Sequence, residues 1–325
     1  MNVIRQSPIA NLATLAIIIA VATARALLYP YPAESFDDTA AFLGAHLSRW
    51  QTAAPTAAAA VAAVAWFIAG WTIGLVVRVR ELYFVRTTIT IPIYGIVACG
   101  IFVAHNSLAA AVASLLFAIA MRSYFNSFRD GYGFSPIFFG SMCLGAVPLL
   151  YAPAALLLSL LPLAIVIFKR SAREALVAVA GVALAPLTVC YIHWGTGGDF
   201  TEPVMQSIDA LTATSGYRFF GSVAAGSAAL AGYLLAMVIG AAMFCQANVY
   251  SMNSRARYIT VFNICSFVVA VATLAMPSST PAALGLVAVP TAMTVPAMLV
   301  QIRSGAANIL YAVLCILFVL HLFIG

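Results

Sequence analysis

Long apolar runs follow one another along almost the whole chain, and charged residues stand only between these runs or near their ends. Charged residues make up 7% of the 325 residues, whereas a soluble domain carries about 25%. A membrane-spanning helix needs about 20 mostly apolar residues. The pattern therefore predicts an all-α, polytopic integral membrane protein with a single transmembrane domain over residues 1–325.

Breaks at charged and turn residues divide the chain into about eleven predicted transmembrane helices. The predicted spans are 8–28, 55–77, 89–105, 107–121, 134–150, 153–168, 174–193, 221–245, 259–276, 282–301 and 305–324. The third and fourth spans, like the fifth and sixth, form a tight hairpin of short helices, so a re-entrant or merged pair stays open as an alternative. The first span also has features of a cleaved signal peptide, but its apolar run continues through Leu28, which favours a retained helix.

The basic residues are sorted by this arrangement, because twelve of the fifteen Lys and Arg residues fall on one side of the membrane. The twelve are Arg5, Arg78, Arg80, Arg86, Arg122, Arg129, Lys169, Arg170, Arg173, Arg255, Arg257 and Arg303. The other side holds Arg25, Arg49, Arg218 and six of the nine acidic residues. The positive-inside rule then predicts a cytoplasmic N-terminus and an external C-terminus. Basic residues spread in this way point to membrane lipids as partners and not to nucleic acid.

Two external loops, 29–53 and 194–220, are long enough to hold a short interfacial helix each. In the first loop, Ser35 and Asp38 have the spacing of a capping box, and apolar residues as far as Trp50 then recur at helical spacing. The second loop has a glycine-rich turn followed by an apolar stripe. Both loops are acidic, so we expect any chemistry at this external face.

The candidate catalytic residues are Asp37 and Asp38, acting as a general base on a sugar hydroxyl or as ligands of a divalent cation. The candidate substrate-binding residues share the external face and are Arg25, His46, His105, His193, Asp199, Glu202 and Arg218. The arginines among them have the chemistry to clamp the phosphates of a lipid carrier. The alternative is that the carboxylates cap a helix, the arginines snorkel and the histidines lie at a wet interface.

The sequence does not decide whether the protein is an enzyme. Glycine-rich phosphate loops, HExxH, GxSxG and paired CxxC motifs are all lacking, so no motif indicates a cofactor. No metal site is predicted, because the histidines share no local spacing and the six cysteines lie apart within predicted helices. We expect a protein that handles a lipid-linked glycan or another amphipathic substrate at the external face. The alternatives are a non-enzymatic scaffold of an envelope assembly and a transporter of lipids or small solutes, although the predicted spans lack the mid-membrane charges typical of ion-coupled transport.

Two further segments indicate partners. Loop 122–133 mixes aromatic residues with two arginines, which is typical of a headgroup anchor or of a docking site for an envelope protein on the cytoplasmic side. Gly70 and Gly74 form a GxxxG motif in the span 55–77. Such a motif indicates close helix packing within the chain or a homodimer through this span.

Several stretches resemble an uncharacterised family of polytopic inner-membrane proteins of Bacteroidota. They are residues 81–92 (ELYFVRTTITIP), residues 115–128 (LLFAIAMRSYFNSF) and the run from Pro136 through Pro153 into the next span. An Arg-Thr pair, here Arg86-Thr87, opens a helix in that family, and a Leu-Tyr-X-Pro turn, here Leu150 to Pro153, follows later. The resemblance covers roughly residues 78–200. It implies a multi-pass protein of the bacterial inner membrane in the cell envelope, and it implies no particular activity.

Overall fold

The structure, a computed structural model, describes residues 7–28, 41–79, 87–100, 107–127, 133–214, 225–248, 254–280 and 283–324. These residues form helices and short turns, and no strand occurs among them. The α-helices in chain order are α1 (Pro8–Leu28), α2 (Phe42–Ala53), α3 (Pro55–Val79), α4 (Thr90–Gly100), α5 (Ser107–Asn126), α6 (Phe134–Leu150), α7 (Leu160–Ile167), α8 (Ala172–Gly195), α9 (Glu202–Thr212), α10 (Ala225–Ala247), α11 (Ser254–Ala272), α12 (Ala283–Gln301) and α13 (Ser304–Ile324). Two 3₁₀ segments lie at Ala152–Ser159 and Thr273–Ala275.

Eight helices within the described ranges are long and apolar enough to cross a membrane, namely α1, α3, α5, α8, α10, α11, α12 and α13. Shorter apolar helices occupy Thr90–Cys99, Phe134–Leu150 and Ala152–Ile167. These three lie where the sequence predicts the remaining spans. The prediction of an all-α, multi-pass membrane protein is therefore confirmed.

The segment Ala152–Ile167 is half 3₁₀ helix and half α-helix, with eight residues in each part. A 3₁₀ helix rises about 2.0 Å per residue and an α-helix about 1.5 Å, so the segment is about 28 Å long instead of about 24 Å. The hydrocarbon core of a bilayer is about 30 Å thick. The 3₁₀ stretch thus brings a short segment close to the length of a full crossing.

Helix α12 lies in the middle of the bundle, packed against α4, α5, α10 and α11. Nearly all of its residues are buried. Its sequence is uncharged and apolar on every side, as expected for a helix that is surrounded by other helices. The sequence identified the span, but its central position depends on partners that are distant in the chain.

Polar side chains on neighbouring helices bind the backbone of this proline-containing helix. The Asn263 amide nitrogen donates to the Pro290 carbonyl oxygen at 3.1 Å and to the Thr294 hydroxyl at 2.7 Å. The Ser114 hydroxyl donates to the Gly285 carbonyl oxygen at 2.8 Å. These bonds tie α11 and α5 to α12, although they do not go to the Leu286 and Ala292 carbonyl oxygens, which lose their helical N–H donors at Pro290 and Pro296.

One end of the bundle, here called the outer end, brings together α2, α9, the start of the 3₁₀ segment at Ala152 and residues 273–280. The Tyr151 hydroxyl accepts from the Thr280 backbone N–H at 2.8 Å. The Ser278 hydroxyl donates to the Leu211 carbonyl oxygen at 3.2 Å. Each of these bonds joins residues that the charge distribution assigns to the external side.

The opposite end, here called the basic end, holds Arg122, Lys169, Arg170 and Arg303. The Lys169 ammonium lies 5.6 Å from the centre of the Tyr258 ring near the start of α11. Tertiary contacts at this end therefore also join segments that the sequence assigns to one side, the cytoplasmic one.

Glycines allow the short helix α6 to lie unusually close to α8. A Cβ atom on Gly145 would lie 2.5 Å from the Val182 carbonyl oxygen, and one on Gly181 would lie 2.6 Å from the Phe138 carbonyl oxygen. Backbone atoms cannot move aside as side chains do. These two positions therefore require glycine for the observed packing.

The GxxxG glycines of α3 are occupied from within the same chain. A Cβ on Gly70 would meet the Leu15 side chain at 2.7 Å, and one on Gly74 would meet Ile91 at 2.5 Å. Of the two alternatives, packing within the chain accounts for both glycines. A homodimer through α3 stays a prediction. Because Leu15 and Ile91 already cover the two glycines, such a dimer would need a face of α3 other than the GxxxG face.

Two helices, α5 and α11, extend further at the basic end than the sequence predicts. Helix α5 continues to Asn126 instead of ending at 121, so the first part of the predicted loop 122–133 is helical. Tyr124 and Phe125 are buried beside Phe262 and extend the packed face of the helix beyond Arg122. Likewise α11 begins at Ser254, five residues before the predicted start.

The close packing of α6 against α8 predicts that Gly181→Ala destabilises the protein by about 1–3 kcal/mol, the usual effect of overpacking. Gly232→Ala on α10 is the control, because nothing lies within 4 Å of a Cβ at that position. Thermal unfolding of the purified protein in detergent measures both. Equal unfolding temperatures for the two variants would contradict the α6–α8 contact.

Candidate functional site

A cavity of about 620 Å³ lies between α5 and α6 at the basic end. Ten residues of the described part of the chain line it: Ile119, Arg122, Ser123, Asn126, Ser127, Gly133, Phe134, Ser135, Pro136 and Phe139. A volume of this size is typical of pockets that hold a small molecule or a lipid headgroup. The cavity is therefore the first candidate for a binding site.

The two helices that form the cavity meet near its deep end. A Cβ on Gly140 would lie 3.3 Å from the Ala120 carbonyl oxygen. The hydroxyls of Tyr124 and Ser141 lie 3.0 Å apart and are both buried. These contacts hold α5 and α6 together below the cavity and fix the position of its walls.

The α5 wall of the cavity consists of residues at helical spacing. Ile119, Arg122, Ser123 and Asn126 follow one another at intervals of three, one and three residues, which places them on one face of an α-helix. Arg122 pairs with no carboxylate among the residues that the structure describes. Its guanidinium therefore supplies positive charge to the cavity.

The chemistry of the lining is that of an anion site with an apolar wall. Arg122 and the hydroxyls of Ser123 and Ser135 bear hydrogen-bond donors, whereas the Ser127 hydroxyl already donates to the Tyr124 carbonyl oxygen at 2.6 Å. The side chains of Ile119, Phe134, Pro136 and Phe139 form the apolar part. No carboxylate is among the ten lining residues. An anion with an apolar portion matches both halves of this surface.

A buried carboxylate stands behind the cavity and fixes its rim. Glu174 is only 4% exposed, and its Oε1 accepts from the Gly133 backbone N–H at 2.9 Å and from the Arg170 guanidinium at 3.2 Å. Its Oε2 accepts from the Ser171 backbone N–H and hydroxyl, both at 3.0 Å. Glu174 thus caps α8 through a capping box and ties it to the start of α6.

Arg170 completes the connection to α5. Its guanidinium donates to the Ser127 carbonyl oxygen and, at 2.9 Å, to the Ser127 hydroxyl. The preceding residue, Lys169, has a left-handed backbone with φ 52°, and the Arg170 N–H donates to the Ile165 carbonyl oxygen at 2.9 Å, which is the Schellman pattern of a helix end. This turn points Arg170 towards Ser127, so both ends of the loop that follows α5 are bound to the Arg170–Glu174 pair.

Three of the predicted external residues come together at the outer end. His193 Nε2 and Glu202 Oε2 lie 2.7 Å apart. The Phe42 ring packs edge-on against both His193, at 5.0 Å between centroids, and His46, at 4.9 Å. Phe42 is not among the residues predicted from the sequence, although its position one helical turn before His46 links the two residues.

The remaining described residues of the predicted site have partners within the chain. Asp199 accepts from the backbone N–H and the hydroxyl of Thr201, both at 3.3 Å, and so caps the turn before α9. The Arg25 guanidinium donates to the His321 carbonyl oxygen at 3.3 Å and joins α1 to α13. These contacts agree with the structural alternative for Asp199 and Arg25.

Four residues of the predicted external site lie outside the described part of the chain: Asp37, Asp38, His105 and Arg218. The catalytic assignment of the two aspartates therefore stays a prediction. Residues 128–132 of the predicted docking loop, with Arg129, also lie outside it. Within the described ranges, no three His, Cys, Asp or Glu side chains converge as metal ligands would.

Comparison with known proteins gives no relative from which a role could be transferred. No family model, curated protein or solved structure matches the chain. The resemblance to an uncharacterised family of Bacteroidota therefore stays a prediction, and functional inference rests on the geometry of the chain itself.

The contrast between two carboxylates, one beside Arg170 and one beside His193, gives a test of the buried network. Glu174→Ala leaves Arg170 buried without its charge partner, so we expect a loss of about 3–5 kcal/mol. Glu202→Ala is the control, because the Glu202 side chain is 52% exposed beside His193 and such pairs contribute about 1 kcal/mol or less. Thermal unfolding in detergent compares the two variants. A Glu174 variant as stable as the Glu202 variant would contradict the structural role of the pair.

Proposed function

We propose that this protein binds the anionic head of an amphipathic molecule in the cavity between α5 and α6. The observation that supports the proposal is the position of Arg122, which is unpaired among the described residues, in a cavity lined by three serine hydroxyls and an asparagine amide. The ten lining side chains supply donors and an apolar wall, so the proposal concerns binding and not a covalent reaction.

Phosphate is the head that fits these donors best. A guanidinium presents a planar fork of N–H groups that matches two oxygens of a phosphate, and the hydroxyls of Ser123 and Ser135 can donate to the remaining oxygens. Because Arg170 is already bonded to Glu174 and Ser127, its charge is largely compensated. Arg122 is then the described cation that faces the ligand.

The finer topology belongs to the same proposal. We place eleven spans in a bacterial inner membrane, with the N-terminus and the basic end in the cytoplasm and Gly325 outside. The excess of Lys and Arg at the basic end supports this orientation. The cavity would then open in the cytoplasmic leaflet, where a membrane surface rich in anionic lipid is available.

Handling of a lipid-linked glycan at the outer end, with Asp37 and Asp38 as catalytic carboxylates, stays a prediction from the sequence. Both hypotheses involve a lipid, but they place it at opposite ends of the bundle. Substitution of Arg122 and substitution of the aspartates therefore separate them.

Thermal unfolding with and without lipid tests the proposal. Phosphatidic acid added to the protein in neutral detergent is expected to raise the unfolding temperature, whereas diacylglycerol, which lacks the phosphate, is not. Ligand at about 100 times its Kd adds about 2.7 kcal/mol of stability. Arg122→Gln is expected to abolish the effect.

Arg173→Gln is the matched control, because Arg173 lies at the same end of the bundle, is exposed and does not line the cavity. It is expected to keep the stabilisation by phosphatidic acid. Equal stabilisation of the Arg122 and Arg173 variants would assign the effect to the general basic surface and refute the cavity as the site.

A further inference from the structure

One wall of the cavity is also part of the outer surface of the bundle. Phe134 is 39% exposed and Phe139 is 46% exposed, and both line the cavity. A cavity enclosed by the protein would bury such large rings. The cavity is partly open, and the exposed rings of Phe134 and Phe139 are the apolar part of its α6 wall.

In the proposed topology, that surface lies within the membrane-spanning part of α6. Phe139 is five residues after the start of the helix at Phe134, which is about 7.5 Å along the axis. Arg122 is four residues before the end of α5 at Asn126, about 6 Å from that end. The exposed ring and the arginine thus lie at similar depths, just below the end of the bundle, where the headgroups of a bilayer give way to the chains.

We infer that the ligand of this cavity is a phosphate-bearing lipid that enters sideways from the bilayer, across Phe139. Its phosphate binds Arg122 and the serine hydroxyls, and its chains stay outside against Phe139 and Ile119. The inference rests on the proposed function and adds the class of ligand and its route. A free phosphate or a phosphorylated solute would bind the same donors, but it has no acyl chain that would contact the apolar wall.

The experiment compares three matched probes on the full-length protein in neutral detergent. They are phosphatidic acid, its water-soluble head glycerol 3-phosphate, and diacylglycerol. We expect Arg122-dependent stabilisation by phosphatidic acid alone. Stabilisation by glycerol 3-phosphate as strong as by phosphatidic acid, and lost in Arg122→Gln, would overturn the lipid route and leave the proposed function standing. Failure of both phosphate probes would refute the proposed function and the inference together.

Substitution of the apolar wall tests the route directly. Phe139→Ser is expected to weaken the binding of phosphatidic acid about tenfold, the effect of losing a large apolar contact. Leu176→Ser is the matched control, because Leu176 is 72% exposed on α8 and does not line the cavity. Equal affinity in the two variants would overturn the assignment of Phe139 to the route.

A measurement on the unaltered chain keeps the test valid if Phe139→Ser fails to fold. Phosphatidic acid with a photoreactive diazirine near the top of one chain is incorporated into vesicles that contain the protein. Cross-links mapped by mass spectrometry are expected in the segment with Phe134 and Phe139, and they are expected to disappear in Arg122→Gln. Cross-links spread evenly over the apolar helices, unchanged in that variant, would overturn the inference.

Discussion

The hydrocarbon core of a bilayer offers no hydrogen-bond partner, so every polar atom within it has to find one in the protein. The centre of this bundle meets that constraint in part, because the Asn263 amide nitrogen has two partners while its buried Oδ1 has none within the described part of the chain. Helix α12 contains two prolines and is surrounded on all sides, and Asn263 and Ser114 reach its backbone from α11 and α5. The packing of the other spans around α12 therefore depends on polar contacts as much as on shape.

The same constraint separates the surroundings of two carboxylates, Glu174 and Glu202. Arg170 and Glu174 are almost fully buried at the basic end, and each has further hydrogen bonds that compensate for lost water. His193 and Glu202 remain partly in solvent at the outer end. The buried pair fixes the ends of α5 and α6 and leaves Arg122, one turn away from Asn126, as the charge that faces the cavity.

The sequence predicted the apolar helices well because their apolar length is a local property; the predicted span 134–150 has the bounds of α6, although α6 is shorter than the eight helices that could cross a membrane. It missed the cavity because residues from 122 onward were assigned to a loop, whereas burial of Phe125 against the distant Phe262 keeps them helical. The capping box of Ser171 and Glu174 was readable from the sequence. Its bond to Gly133, 41 residues away, was not, since a pattern does not show which segments meet.

The 3₁₀ stretch at Ala152–Ser159 has a consequence for membrane matching. Sixteen residues wound only as α-helix would suit a bilayer about 4 Å thinner than the one that the mixed helix suits. Differences of this size distinguish biological membranes from one another, and a mismatch has to be met by tilting or by local thinning of the bilayer. The helical pitch of the segment Ala152–Ile167 thus sets the thickness of the bilayer that its length could match.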